Sequence, residues 1–161
     1  MSNADRAITA VAIAPDGTWL AVADSRHEIR IKDVATDRTR RVLRGLTQHA
    51  STVVISPDAT WLAAAGGANV WIWNPATGKT IATLGGHGGY TAGASISPDG
   101  TWLASVDSVG VVRVWRTSTW ELSAAMRVDA KPKGCQWFAD GTGISVIGEH
   151  TVLLLTFTPA G

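Results

Sequence analysis

Four histidines, one cysteine and thirteen acidic side chains are the groups of this 161-residue chain that could move a proton, hold a metal ion or attack a substrate. A zinc site needs His, Cys, Asp or Glu ligands converging at short, regular spacings. His27, His49, His87 and His150 stand 22, 38 and 63 residues apart, with no cysteine or carboxylate at ligand spacing beside them. Structural or solvent-facing histidines fit that pattern better than a metal site. Serine, histidine and aspartate are all available for an acyl-transfer triad, but the recurring aspartates each have a turn to make. No strained nucleophile turn, glycine-rich phosphate loop or acid–base pair is visible. Cys135, beside Gln136 and Trp137, reads as a buried, inert thiol. The residues assign no catalytic group, no metal and no cofactor.

Two other groups of residues invite a ligand. Arg26, Arg30, Lys32, Arg38, Arg40, Arg41 and Arg44 supply seven of the fourteen basic side chains, with Glu28, Asp33 and Asp37 mixed among them. Charges on an exposed outer strand guard against edge-to-edge pairing, and this reading is preferred to an anion-binding patch. The eight tryptophans are spaced by repeat position rather than as a binding stripe. Trp19, Trp61 and Trp102 share one position, and Trp73 and Trp115 share another. Packing is the expected role, since a fully buried aromatic contributes on the order of 2 to 3 kcal/mol. Trp71 aligns with Arg30 and Arg113 and reads as a local surface feature. Trp120 falls in a turn, and Trp137 in an inner strand.

The elements that position these residues come from a repeat. Pro15-Asp16-Gly17-Thr18-Trp19-Leu20-Ala21 returns as Pro57-Asp58-Ala59-Thr60-Trp61-Leu62-Ala63 and as Pro98-Asp99-Gly100-Thr101-Trp102-Leu103-Ala104. A worn copy follows at Ala139-Asp140-Gly141-Thr142-Gly143-Ile144-Ser145. The aspartates are 42, 41 and 41 residues apart, the length of a four-stranded propeller blade. Each copy holds the same order of signals. In the first, Thr9 to Ala14 alternates as an inner strand, the Pro-Asp-Gly turn reverses the chain, and Trp19 to Ala23, Glu28 to Val34 and Thr39 to Arg44 follow as strands. Outer strands are expected around Ile81 to Leu84 and Leu122 to Met126. Every apolar run is short, rich in β-branched residues and bounded by turn residues, so the fold class is all-β.

Hydrophobic residues make up 45% of the chain, charged residues 17%, and the net charge is +1. That is an ordered globular composition without bulk attraction to nucleic acid or an anionic membrane. A single cysteine fits a reducing compartment, and no apolar signal region or membrane-length run is present. The expectation is a soluble, cytoplasmic chain with protein partners, no nucleic-acid partner and no membrane partner.

The third strands read Ile29-Arg30-Ile31-Lys32-Asp33, Val70-Trp71-Ile72-Trp73-Asn74, Val112-Arg113-Val114-Trp115-Arg116 and Leu153-Leu154-Leu155-Thr156. With Gly86-His87 twelve residues before Asp99, this pattern resembles the WD-repeat family of β-propellers over nearly the whole chain. The resemblance implies four consecutive blades, in copies of about 5–46, 47–87, 88–128 and 129–161. It also implies a buried hydrogen-bonded set of a histidine, a second-strand serine, a turn aspartate and a third-strand tryptophan. The third copy keeps His87, Ser105 and Trp115, while Val109 stands where the aspartate is expected. Asp107 could approach His87 from a neighbouring position. The corresponding Gly-His positions read Asn3-Ala4, Gly45-Leu46 and Arg127-Val128, so apolar packing should replace the set in the other copies.

The fourth copy stops before its outer strand. The outer-strand anchors Leu43, Leu84 and Met126 stand 27, 26 and 27 residues after the turn aspartates, and the fourth equivalent would fall beyond Gly161. The resemblance implies that a strand from the N-terminal end commonly closes such a ring, but Met1 to Arg6 is too short and too polar to serve. The expectation is the C-terminal part of a longer propeller, belonging to a bacterial signalling protein and acting as a non-catalytic interaction or sensor module. The alternatives are two chains closing one ring through their open terminal blades, and half of an enzymatic propeller site. Arg26, His27, His49, Asn69, Tyr90, Lys131 and His150 occupy the nonrepetitive loops at one end of the strands and form the candidate interaction surface.

Overall fold

The structure is a computed structural model and describes residues 6–159. The positions Asn3 and Ala4, and the proposed start of the first copy at residue 5, lie outside the described residues. Within them the chain is all-β, with fifteen strands and no helix. The first sheet holds β1 (Ile8–Ile13), β2 (Trp19–Asp24), β3 (Ile29–Asp33) and β4 (Thr39–Leu43), and the second holds β5 (Thr52–Ile55), β6 (Leu62–Gly66), β7 (Asn69–Trp73) and β8 (Thr80–Leu84). The third holds β9 (Thr91–Ile96), β10 (Trp102–Asp107), β11 (Val111–Arg116) and β12 (Glu121–Arg127). The fourth has three strands, β13 (Pro132–Trp137), β14 (Gly143–Gly148) and β15 (Val152–Thr156). Every sheet is an antiparallel meander in chain order.

The repeated turn explains its own composition. Asp16, Asp58, Asp99 and Asp140 each accept a hydrogen bond from the backbone N–H two residues on, at 2.9, 3.1, 3.0 and 3.0 Å. Hydrogen bonding by Thr18, Thr60 and Thr142, and by Ser97 and Thr101 at Asp99, holds these carboxyls below their ordinary value. The next residue needs a left-handed backbone. Gly17 and Gly100 take φ of 71° and 75°, while Ala59 is held at 59° despite its Cβ.

Three apolar layers join the sheets. The inner strands stack in order, β1 along β5, β5 along β9 and β9 along β13. At the first junction Trp19, Ile29, Ile31 and Leu43 meet Leu62 and Trp73; at the second Trp61, Val70, Ile72 and Leu84 meet Leu103 and Trp115. At the third, Trp102, Val112 and Val114 meet Trp137, Ile144 and Val146. Trp19, Trp61 and Trp102 are each 8% exposed, as equal repeat positions require.

Two expectations change. Trp71 is half-buried, packs against the first apolar layer and stacks on Trp73 at 6.2 Å between ring centroids, so it is not a surface feature. Met126 does not anchor its strand as Leu43 and Leu84 do. All three pair with the first buried residue of the third strand (Ile29, Val70 and Val112), yet Leu43 and Leu84 are buried and Met126 is 48% exposed. The short side chain of Leu153 stands where the next sheet elsewhere offers Trp71 or Arg113, and no strand lies outside β15 among the described residues.

Candidate functional site

The third sheet brings His87, Ser105 and Trp115 together on the side that carries Leu103 and faces the second junction, and Asp107 completes the set. His87 precedes β9, Ser105 and Asp107 alternate along β10, and Trp115 lies on β11, opposite Leu103. His87 Nε2 lies 2.7 Å from Ser105 Oγ, and its Nδ1 lies 3.0 Å from Asp107 Oδ2. Trp115 Nε1–H donates to Ser105 Oγ at 2.9 Å. One hydrogen direction satisfies every member. The indole donates to the serine, the serine hydroxyl donates to Nε2, and Nδ1–H donates to an ionised Asp107.

That assignment requires a neutral imidazole. Burial pushes His87 below its ordinary value of 6.5, aided by the Arg113 charge, and Asp107 opposes the shift without reversing it. Burial pushes the Asp107 carboxyl up, but the Val111 N–H, the His87 ring and the Val109 N–H outweigh it and hold the group below 3.8. These two N–H groups donate to Oδ1 at 2.9 and 3.1 Å, and Gly88 N–H donates to Oδ2 at 3.2 Å. Val109 therefore contributes a backbone donor to the loop, and the carboxylate comes from the end of β10.

The order of contacts is that of a Ser–His–Asp nucleophile, but two features oppose that chemistry. All three side chains are buried in the third sheet and the loop that precedes it. The serine oxygen also accepts a tryptophan N–H, which stabilises it as an acceptor rather than exposing it to a carbonyl. Elsewhere the chain has no comparable cluster: among the described residues no group of three His, Cys, Asp or Glu is placed to hold a metal ion. Cys135 points its thiol into the third junction, 3.9 Å from the Ala104 carbonyl, and burial pushes it up to about 12.

The other sheets answer the same position differently. In the second, Leu46, Ala64 and Gly66 stand at the places of His87, Ser105 and Asp107, and the apolar pair is buried. Trp73 keeps its place, and its Nε1–H is buried without a partner. In the first, Asp24 keeps the aspartate position, where Arg6 and Arg30 bind it at 3.2 and 2.9 Å. In the fourth, Val128 and Val146 are both buried at the histidine and serine positions.

The seven candidate surface residues all lie in, or beside, loops at the end of the sheets away from the repeated turns. Arg26, His27, His49, Lys131 and His150 are exposed, and Asn69 and Tyr90 are half-buried. Only one pair of them meets among the described residues. Tyr90 Oη donates to the His49 carbonyl at 3.1 Å, and their rings lie 6.0 Å apart across the second junction. Sequence reasoning missed Trp120, whose ring meets Trp61 edge-on at 4.9 Å. The signal was its alignment with Gly78 at a left-handed turn position.

Among curated proteins, no match to the chain is found. The family model described as WD domain, G-beta repeat matches residues 2–33, 40–74 and 78–116. Those segments contain the Pro-Asp turns and both Trp-ended third strands, and the chain belongs to the WD-repeat family.

Proposed function

We propose that this chain is a non-catalytic protein-interaction module that binds through the loop end carrying Tyr90 and His49. WD repeats typically mediate protein–protein interactions, which supports the class of function. The observation that carries the reading is the contrast between the two ends of the sheets. One end repeats the Asp–Thr turn in every copy; the other presents different side chains in every copy, and variation between repeats is where a partner can be encoded. The sealed polar set leaves surface recognition as the better-supported role. In this reading residues 1–161 are one segment of four consecutive blades, the C-terminal repeats of a larger bacterial signalling protein, and they act in the cytoplasm as a scaffold or sensor. Cross-linking followed by purification of the captured partner allows a direct titration. Tyr90→Ala should weaken binding about tenfold, the scale of a central aromatic contact. Unchanged affinity for Tyr90→Ala, His49→Ala and His150→Ala overturns this surface.

A second reading is self-association through the terminal blades, in an arc open at both ends. It is favoured by the exposure of Val11 (58%) and Ile13 (65%) on β1 and of Leu154 (71%) on β15. Lys32 also occupies the position where Trp73 and Trp115 pack on a preceding sheet. Contiguous apolar surface of this kind favours association. Sedimentation velocity over a concentration range should show association that Ile13→Asp or Leu154→Asp removes. A monodisperse monomer at every concentration counts against it.

A further inference from the structure

Each of the three repeat tryptophans lies at a junction, and at two of them an aromatic side chain of the following sheet covers it. Trp120 meets Trp61 edge-on at 4.9 Å, and Phe157 meets Trp102 at 5.0 Å and 68°. At Trp19 no such ring is present among the described residues. Gly78 holds the turn position of Trp120: each donates its N–H to the carbonyl four residues back, at 2.8 and 2.7 Å, and each has positive φ, 74° and 60°. The space left beside Trp19 is a cavity of about 310 Å³, bounded by Ile31, Arg40, Arg41, Ala59 and Pro75. It opens at the turn end of the sheets, opposite the loop end that carries Tyr90.

The exchange between the two junctions is paired. Arg41 stands opposite Ile31 where Ala82 stands opposite Ile72. A Cβ on Gly78 would come within 2.7 Å of Arg41 Cδ, so arginine with glycine replaces alanine with tryptophan. Arg41 covers part of the volume with its stem, and its guanidinium donates to the Thr77 carbonyl at 3.0 Å. No carboxylate pairs with Arg41 among the described residues, while Arg40 pairs with Asp33. The cavity thus has Trp19 and Ile31 buried at its floor, the Arg40 and Arg41 stems along its wall and an unneutralised cation at its rim.

We propose that this cavity docks an aromatic side chain flanked by carboxylates, supplied by an acidic segment of a partner protein. The ring takes the place that Trp120 fills one junction on, and Arg41 meets the flanking charge. This site is independent of the loop-end surface.

The test uses the full chain and a five-residue capped peptide, a central tryptophan between glutamates, followed by isotope-edited NMR of the Trp19 indole and the Arg41 side chain. Saturable shifts of both groups are expected. Gly78→Trp combined with Arg41→Ala rebuilds the filled arrangement of the second junction and should abolish binding, with the melting temperature reporting that the variant is folded. Arg41→Gln leaves the cavity open and should weaken the acidic peptide about tenfold, without affecting a peptide whose glutamates are replaced by glutamine. Several results overturn the proposal: no saturable shift, an alanine-centred peptide binding equally well, or undiminished binding to the filled variant. Indole-3-acetate binding as tightly as the peptide would assign the cavity to a small aromatic acid instead. Self-association lost only in the filled variant would assign it to a second copy.

Discussion

The second and third sheets share one backbone plan and solve the same burial problem in opposite ways. Both bury a tryptophan at the same register, Trp73 opposite Leu62 and Trp115 opposite Leu103. The third sheet surrounds its indole with Ser105, His87 and Asp107, and every donor finds an acceptor. The second uses Ala64 and Leu46 and leaves the Trp73 indole N–H unpaired, as is that of Trp71 beside it. Buried polar groups are inexpensive when all are satisfied or when nearly all are absent, and costly in between. The comparison teaches that the histidine, serine and aspartate form one unit, whose value is lost when any one member is removed.

The largest expected effect comes from Asp107→Ala. It strips the acceptor from His87 Nδ1 and from the N–H groups of Gly88, Val109 and Val111, and should cost about 3 kcal/mol in urea unfolding. A loss below about 1 kcal/mol would break the comparison, because the set would then be no better than the apolar version. A double-mutant cycle sharpens it. His87→Leu leaves Ser105 and Asp107 each short of a partner, and Ser105→Ala leaves His87 Nε2 and the Trp115 indole without one. Together they convert the position to the leucine and alanine of the second sheet. The double variant should fall short of the summed losses by about 1 kcal/mol or more.

Acid gives the next effect. His87 is depressed below 6.5 in the folded chain, so below that pH the unfolded chain binds a proton that the folded chain does not. Stability contributed by this group is full above pH 6.5 and falls as pH drops from there toward the folded value. Unfolding curves between pH 7 and pH 5 should therefore slope less in His87→Leu than in the unaltered chain; equal slopes would show that the imidazole is not held neutral. Asp107 works in a lower window, since its stabilisation is lost only as pH falls below 3.8 and through its depressed value. The smallest effect belongs to Ala64→Ser. The new hydroxyl accepts from Trp73 Nε1 but lacks a histidine to donate to, so stability should stay within about 1 kcal/mol. The indole proton should move downfield and exchange more slowly in NMR.

The repeat made the strands legible because each Pro-Asp turn carries its own local chemistry, independent of the rest of the fold. Strand ends differ by about one residue, as at β2, which runs on to Asp24. Three members of the polar set were legible from their offsets; the offset puts the aspartate at Val109, within the loop, and Asp107 was legible only as a neighbour able to approach His87. The loop after β10 curls its N–H groups back onto the last strand residue, which places the carboxylate at position 107. Trp71 and Trp120 were harder to read, because their roles depend on the neighbouring sheet. Trp71 packs into the first junction, and Trp120 fills a volume that Gly78 and Arg41 shape differently one junction earlier. Lys32, grouped by sequence with the charges of an outer strand, instead lies on β3, at the register where two other sheets place tryptophan.

The central claim is that the Ser105–His87–Asp107 set is a structural lock, sealed within the sheets, and that function lies on the surfaces around it. Treatment of the folded chain with a fluorophosphonate, followed by peptide mass mapping, tests this directly, because such reagents modify serines activated by a histidine. The account predicts that Ser105 stays unmodified at every reagent concentration that leaves the protein folded. Stoichiometric modification of Ser105, prevented by His87→Leu, would contradict it and make the set a nucleophile.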